Sequence, residues 1–442
     1  AGGLMQLIAY GEENVYLTGN PQVTYFKIVY KRHTNFAMES VKLNFNKNPN
    51  FGSRCDDRVT CSIPRKGDLI KNVWFETTLP TLNGVPGKGY GWVDAIGHAL
   101  IDGATLEIGG QNLDRHHGSW MNIFSDLTIP TEKKIGFNEM IGNVASLKPK
   151  GGINGISSNG ITCPAYQVYV PLQFWFCRNA GLALPLIALK YHDVRIHIDI
   201  NILKNLILQQ NSVNEGINNT SYITTDSPPS VSLSDTSLWV DYIYLDIDEK
   251  RRYAQMPHEY LVEQIQFCGD EPIVNTTFAS PRLWFNHPTK ELIWVVLKED
   301  SINNNQWFNW TDNINIEANK VNSINGYAIN DNPVKTANLT FSDCNKYYDH
   351  NRFQQRDGNY FNKVQPFQHH TNIPSSSGIN VYSFAIKPEE HYPSGTCNFS
   401  RIDNATLKLS FGTATTGIIK IYAINYNLLR IYSGMAGFAY SS

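Results

Sequence analysis

VRIHIDINI, residues 194–202, alternates without a break: Val194, Ile196, Ile198, Ile200 and Ile202 fall on one side, Arg195, His197, Asp199 and Asn201 on the other. Successive side chains of a strand point to opposite faces, so this stretch predicts a strand with one face in a core, as in an antiparallel sheet. The same period recurs elsewhere. Val168, Val170, Leu172, Phe174 and Phe176 alternate with Gln167, Tyr169, Gln173 and Trp175. Ala37, Val41, Leu43 and Phe45 stand against Met38, Ser40, Lys42 and Asn44, and Leu407, Leu409 and Phe411 against Thr406, Lys408 and Ser410. Helical signals are few: Phe137, Met140, Ile141 and Val144 fit one helical stripe, and Asn20-Pro21 is a helix-opening pair. The fold class is mainly β.

Working outward, the strands repeat in order. GDLIKNVWFETTL from Gly67 resembles KELIWVVLKED from Lys290, and ATLEIGGQNLDRHH from Ala104 resembles ANLTFSDCNKYYDH from Ala337. Val170 and Ile196 are separated as Val381 and Leu407 are, and each half closes on an aromatic strand, WVDYIYLDID from Trp239 and IYAINYNLL from Ile421. Eight or so strands per half fit two tandem jelly rolls, each a pair of antiparallel sheets packed face to face, with few short helices. The expected division is an N-terminal segment 1–26, a first jelly roll 27–248, a linker 249–260 and a second jelly roll 261–442. Long loops rich in Gly, Asn, Ser and Pro separate the strands, chiefly 148–162, 209–237, 300–334 and 372–378. Trp307, Phe308 and Trp310 point to an ordered start of the third.

Composition narrows the function. In 442 residues there are 37 basic and 39 acidic side chains, a net charge of −2, so the excess of Lys and Arg that marks a nucleic-acid binder is missing. Charged residues are 17%, low for a soluble domain, which suits a surface covered by neighbours. No apolar run reaches the roughly 20 residues of a membrane span. No basic region precedes the first apolar residues, so no secretory signal is expected. The seven cysteines are widely spaced with no CxxC, which argues against a disulfide framework or zinc ribbon and for reduced thiols in a cytosolic compartment. Cys55 and Cys61 are the pair closest in sequence.

No chemistry converges. Jelly rolls also carry cupin enzymes, but a cupin metal site needs an HxH pair, and His192 and His197 stand in HDVRIH instead. His116-His117 and His369-His370 are doublets in polar surroundings, read as surface or interface histidines, because neighbouring strand residues face opposite ways. There is no GxSxG, P-loop or HExxH, and Gly109-Gly110 reads as a hairpin turn. No catalytic residue, metal ligand or cofactor is expected, and the chain reads as no enzyme. Sequons occur at Asn218, Asn219, Asn275, Asn309, Asn338, Asn398 and Asn404. Any glycan is expected in the long loop 300–334, at Asn309.

The opening AGGLMQLIAYGEENVYLTGNPQVTYFKIVYKRHTNFAMES resembles that of the major capsid proteins of nucleocytoplasmic large DNA viruses, in the chlorella-virus, iridovirus and marseillevirus-like group. GLALPLIALKYHDV, WVDYIYLD, MPHEYLVEQIQF, FNHPTKELIW, PSGTCNFSRIDNATL and YAINYNLLRIYSGMAGFAY carry the resemblance to the far end. It implies a double jelly roll that forms homotrimers, pseudo-hexagonal capsomers tiling an icosahedral shell over an internal membrane. Its expected partners are neighbouring capsomers, minor capsid and penton proteins and, in some members, covalent glycans, with no direct contact to nucleic acid. It implies a place in the virion and assembly in the host cytoplasm. A viral carbohydrate-binding tandem β-sandwich is the alternative. The segment 1–26, with Leu4, Met5, Leu7, Ile8 and Tyr10, is expected to pack beneath the capsomer.

Overall fold

The computed structural model describes residues 2–9, 11–52, 57–84, 88–148, 163–211, 223–224, 228–312, 332–342 and 350–440. The chain divides into two compact units, Ala1–Phe36 and Ala37–Ser442. The first is an arm. Helix α1 (Gly2–Ile8) is followed by single turns at Glu12–Asn14 and Val15–Thr18, and none of its described residues is buried. Asn20-Pro21 opens no helix; the backbone there is irregular.

The second unit begins with a sandwich of eight principal strands: β1 (Phe36–Leu43), β2 (Asp57–Ile63), β3 (Leu69–Leu79), β4 (Ile101–Ile108), β5 (Gln111–His117), β6 (Tyr166–Pro171), β7 (Val194–Ile200) and β8 (Ser234–Leu245). One sheet runs β1-β8-β3-β6 and the other β2-β7-β4-β5. The deciding stretch behaves as read through Ile200: Ile198 lies between Val59 and Ala104 and is fully buried. Gly109 and Gly110, with φ +59 and +84, make the two-residue turn between β4 and β5, a backbone that β-carbons disfavour.

Two patterns ended sooner than the alternation suggested. β6 stops at Pro171, and Trp175–Arg178 forms one helical turn in which Phe174, Trp175 and Phe176 are all buried, so their spacing was not that of a strand. In β1 only Leu43 is buried, because this edge strand is held by β8 alone and Ala37 and Met38 face solvent. Helices α2 (Gly118–Thr128) and α3 (Thr131–Met140) follow β5, and α4 (Ile247–Gln255) follows β8. The Phe137 and Met140 stripe lies on α3 without burial, while Ile141, just past its end, is buried.

The second half repeats the plan with longer strands: β9 (His258–Ala279), β10 (Pro288–Lys298), β11 (Val334–Ser342), β12 (His350–Asp357), β13 (Asn380–Ser383) and β14 (Asn404–Tyr432). The late part of β14 pairs with early β9 and with β10, which pairs with β13. The early part of β14 pairs with the end of β9 and with β11, which pairs with β12. Letting β9 and β14 each stand for two strands recovers the order of the first sandwich. This is the duplication read from the sequence, now seen in topology.

β10 is buried on both faces. Leu292, Trp294 and Val296 enter the core of the second sandwich, whereas Ile293, Val295 and Leu297 meet Trp120, Ile123 and Leu127 of α2. That double burial explains the nearly continuous apolar run from Leu292. The first sandwich in turn takes Val262 of β9, Leu429 and Ile431 of β14, and Ala436 of β15 (Met435–Phe438) into its core.

Candidate functional site

The histidines show what the fold does with polar groups. On β5, His116 and His117 face opposite ways, as adjacent strand residues must. His116 is buried, not superficial: its Nε2 lies 2.8 Å from Asp114 and its ring stacks on Phe174. His117 lies against Phe267, and burial together with the Arg115 charge lowers its pKa to about 4. His197 sits on the outer face of β7, as its parity required, yet is buried there between Glu107 at 2.8 Å and Thr60 at 2.9 Å. Beside it Asp199, also buried, is held by Arg58 at 2.8 Å and Arg115 at 3.1 Å. His192 accepts the Ala436 N–H through Nδ1. Among the described residues no group of three or more His, Cys, Asp or Glu is placed to hold a metal.

A second polar cluster lies at the seam between the sandwiches. Glu263 of β9 accepts from Lys290 of β10 at 2.6 Å and from Arg178, after β6, at 2.9 Å. Next along β10, Glu291 lies 3.0 Å from Nε2 of His370, whose Nδ1 lies 2.9 Å from Glu389. His370 caps helix α5 (Gln365–His369), and its side chain is 1% exposed, which corrects the surface reading of the His369-His370 doublet. Only His369 is outward, near the Ile386 carbonyl. Burial alone would lower the His370 pKa, but the two carboxylates outweigh it and raise it to about 9. Trp175, Arg178, Glu263, Glu389 and His391 line a cavity of about 90 Å³ here. Its carboxylates are engaged by cations and hydrogen-bond donors, so the cluster fastens segments together rather than presenting a base. Sequence reading passed over Lys290 and Glu291; adjacent charges beside an otherwise apolar run were the available signal.

The expected glycan position is not open. The loop after β10 folds back so that Trp310 is buried, Trp307 donates to the Asn205 carbonyl, and Asn305 donates to those of Lys204 and Ile207. Gly378 lets it close down, because a β-carbon there would meet the Trp310 carbonyl oxygen at 1.6 Å. Within it Asn309 is 3% exposed; its amide donates to Gln306 at 2.8 Å and its oxygen accepts from Thr311. The order expected from the aromatic residues holds through residue 312, but it withdraws the sequon nitrogen from solvent. Asn275 and Asn398 are the exposed alternatives, and Asn218 and Asn219 lie outside the described residues.

What the surface offers instead of a pocket for chemistry is uncovered apolar area. On the arm, Leu4, Met5, Leu7 and Ile8 are 62–80% exposed. On the sandwiches, Tyr191, Met256 and Tyr432 are exposed beside a groove of about 370 Å³. Patches of this kind mark sites of protein association.

Comparison with known proteins agrees with that emphasis. Residues 24–246 match the family described as major capsid protein N-terminus, and residues 249–437 match large eukaryotic DNA virus major capsid protein. The major capsid protein of Phaeocystis pouchetii virus is 42% identical, and that of Paramecium bursaria Chlorella virus 1 is 38% identical, each over all of both chains. A chain from the PBCV-1 virus capsid quasi-atomic model superposes with a TM-score of 0.73 at 33% identity, covering 95% of this chain and all of that one. The Faustovirus major capsid protein shares the fold, with a TM-score of 0.72 at 14% identity over 97% of this chain and 96% of that one.

Proposed function

The chain belongs to the major capsid proteins of large eukaryotic DNA viruses, and from that premise we propose that three copies associate into a pseudo-hexagonal capsomer of an icosahedral shell. The observation that carries the proposal is the same strand order occurring twice in one compact unit. Two alike lobes per chain turn a true threefold into near-sixfold packing, which tiles a flat face without six identical chains. The working division is 27–248 and 261–442 for the two jelly rolls, 249–260 for the linker and 1–26 for the leading segment, covered on assembly.

As a component of the virion shell the protein assembles with itself. We extend this to minor capsid and penton proteins, to an internal membrane beneath the shell, and to assembly in the host cytoplasm. A role without catalysis fits the engaged carboxylates of the seam, and a net charge of −2 fits a subunit that does not bind nucleic acid directly. A carbohydrate-binding sandwich finds no support in the relatives, which are capsid proteins throughout their length. Sedimentation and electron microscopy of the purified chain test the proposal. Hexagonal-looking trimers are expected, and a monomer at the concentrations of assembly would overturn it.

A further inference from the structure

Two uncovered surfaces of this chain match each other, and the argument built on them rests on the capsid reading above. The first is the groove of about 370 Å³, formed where the loop before β7, the end of α4 and the turn after β14 meet. Its walls include Ala188, Tyr191, Met256, Pro257, Ile431 and Tyr432. Lys190 is the one charged residue that lines it, and no acid does. Arg251 and Arg252 are exposed one helical turn before Gln255 and Met256, so the rim is basic on the α4 side. Asp248 and Glu249 belong to the first turn of α4, at its other end.

The second surface is the arm. Leu4, Leu7 and Ile8 follow the i, i+3, i+4 spacing that forms one stripe along a helix, and Met5 adjoins it. All four are 62–80% exposed. Glu12 and Glu13 follow directly, and no Lys or Arg precedes Lys27. Thus an apolar helix trailed by two acids is uncovered on one unit, and on the other the exposed side chains of Tyr191, Met256 and Tyr432 flank a groove rimmed by bases. Covering the stripe removes apolar area from water and so favours association.

We propose that the groove receives the N-terminal arm of a second copy of this chain. Helix α1 lays its stripe over Tyr191, Met256 and Tyr432, and Glu12 and Glu13 face Lys190, Arg251 and Arg252. This is helix-in-groove recognition, with the charges fixing its direction. A second copy is the occupant because this protein assembles with itself and every copy carries both halves of the match. Such an exchange is heterologous: each copy gives an arm and receives one, so contacts propagate from subunit to subunit.

The test places a photo-crosslinking residue at Leu7 of the full-length chain. Isotopically heavy and light copies are mixed, assembled and irradiated, and the joined peptides are identified by mass spectrometry. Links from residue 7 to peptides containing 254–257 or 431–434, with heavy joined to light at the frequency of random exchange, are expected. Links to another surface, to a phosphatidylserine-containing vesicle included in the mixture, or only within like-labelled copies overturn the inference. Met256→Asp, at a side chain that is exposed in the single chain, should lower the groove link roughly tenfold by placing a carboxylate in the apolar contact. Arg251→Glu should lower it and be restored by pairing with Glu12→Arg; unchanged yield in both variants counts against the groove. Electron microscopy of the same samples separates the two levels. Capsomers without the link defeat the exchange alone, whereas the absence of any oligomer defeats the capsid reading.

Discussion

His370 ties the stability of the second sandwich to pH, and replacing it with Gln tests this. Its imidazole lies between Glu291 at 3.0 Å and Glu389 at 2.9 Å, and Glu389 also accepts the Thr371 N–H at 3.0 Å. The folded pKa is raised from 6.5 to about 9, because Glu291 and Glu389 outweigh the burial that opposes the charge. A raised value means that the folded chain holds the proton more tightly than the unfolded one. The stabilisation is therefore complete below pH 6.5 and is lost as pH climbs towards 9, an integrated effect of about 3 kcal/mol. Glu389 has the opposite sense. Its pKa is lowered although burial opposes this, chiefly by His370 and Thr371, so its contribution is present above the usual carboxylate range and is lost as pH falls through the folded value. Four groups elsewhere in the chain titrate outside the window from 6.5 to 9. Burial lowers His98 to about 3 and raises Cys61 and Cys268 to about 11 and Cys177 to about 12. Urea unfolding of wild type and His370→Gln, followed by tryptophan fluorescence at pH steps from 6 to 9.5, makes the comparison. The variant should be weaker at pH 6.5 by about 3 kcal/mol, and the gap should close by pH 9.5. Parallel curves across the window would refute the doubly paired imidazolium.

Three further outcomes follow from the packing. Trp120→Ala empties the layer where α2 meets β10 and Tyr422, and should cost about 3–5 kcal/mol in urea unfolding; a loss under about 1 kcal/mol would mean the layer is not packed as described. Ile198→Asp places an unpaired carboxylate between Val59 and Ala104 at a fully buried position, costing several kcal/mol, and a variant that melts like wild type would contradict the strand assignment. Cys61, Cys177, Cys268 and Cys397 are free thiols, with Cys61 buried and the others half-buried, so a thiol reagent should titrate few of them in the native chain and all four after denaturation without reductant. Protection that persists under those denaturing conditions would point to disulfides.

What was legible in the sequence was whatever had one face in a core. β7 declared itself because Ile196, Ile198 and Ile200 are inside and Arg195 outside, and the duplicated order of elements emerged because equivalent strands in both halves bury equivalent faces. Illegible stretches had other burial geometries. β10, covered on both sides, lost its alternation, and Phe174 to Phe176 mimicked alternation while turning through a helical loop. The polar seam was hidden because Glu263, Lys290, Glu291 and His370 come from three separated stretches and find one another only in the folded chain. Asn309 sits in a related geometry. A sequon marks a tripeptide, but Trp310 beside it marks burial, and the aromatic residue decided the geometry.

The core of the first sandwich is closed partly by Val262, Leu429, Ile431 and Ala436. A ribosome delivers those residues long after it has made β1 to β8, so the half that is translated first is completed late. A product ended by a premature stop ahead of Leu429 would carry every strand of the first sandwich and still leave its core unsealed. Limited proteolysis should cut that half faster in a chain truncated ahead of Leu429 than in one that carries Leu429, Ile431 and Ala436. The surfaces that the first sandwich offers to neighbours are then set only in a chain that also carries the closing strands of the second.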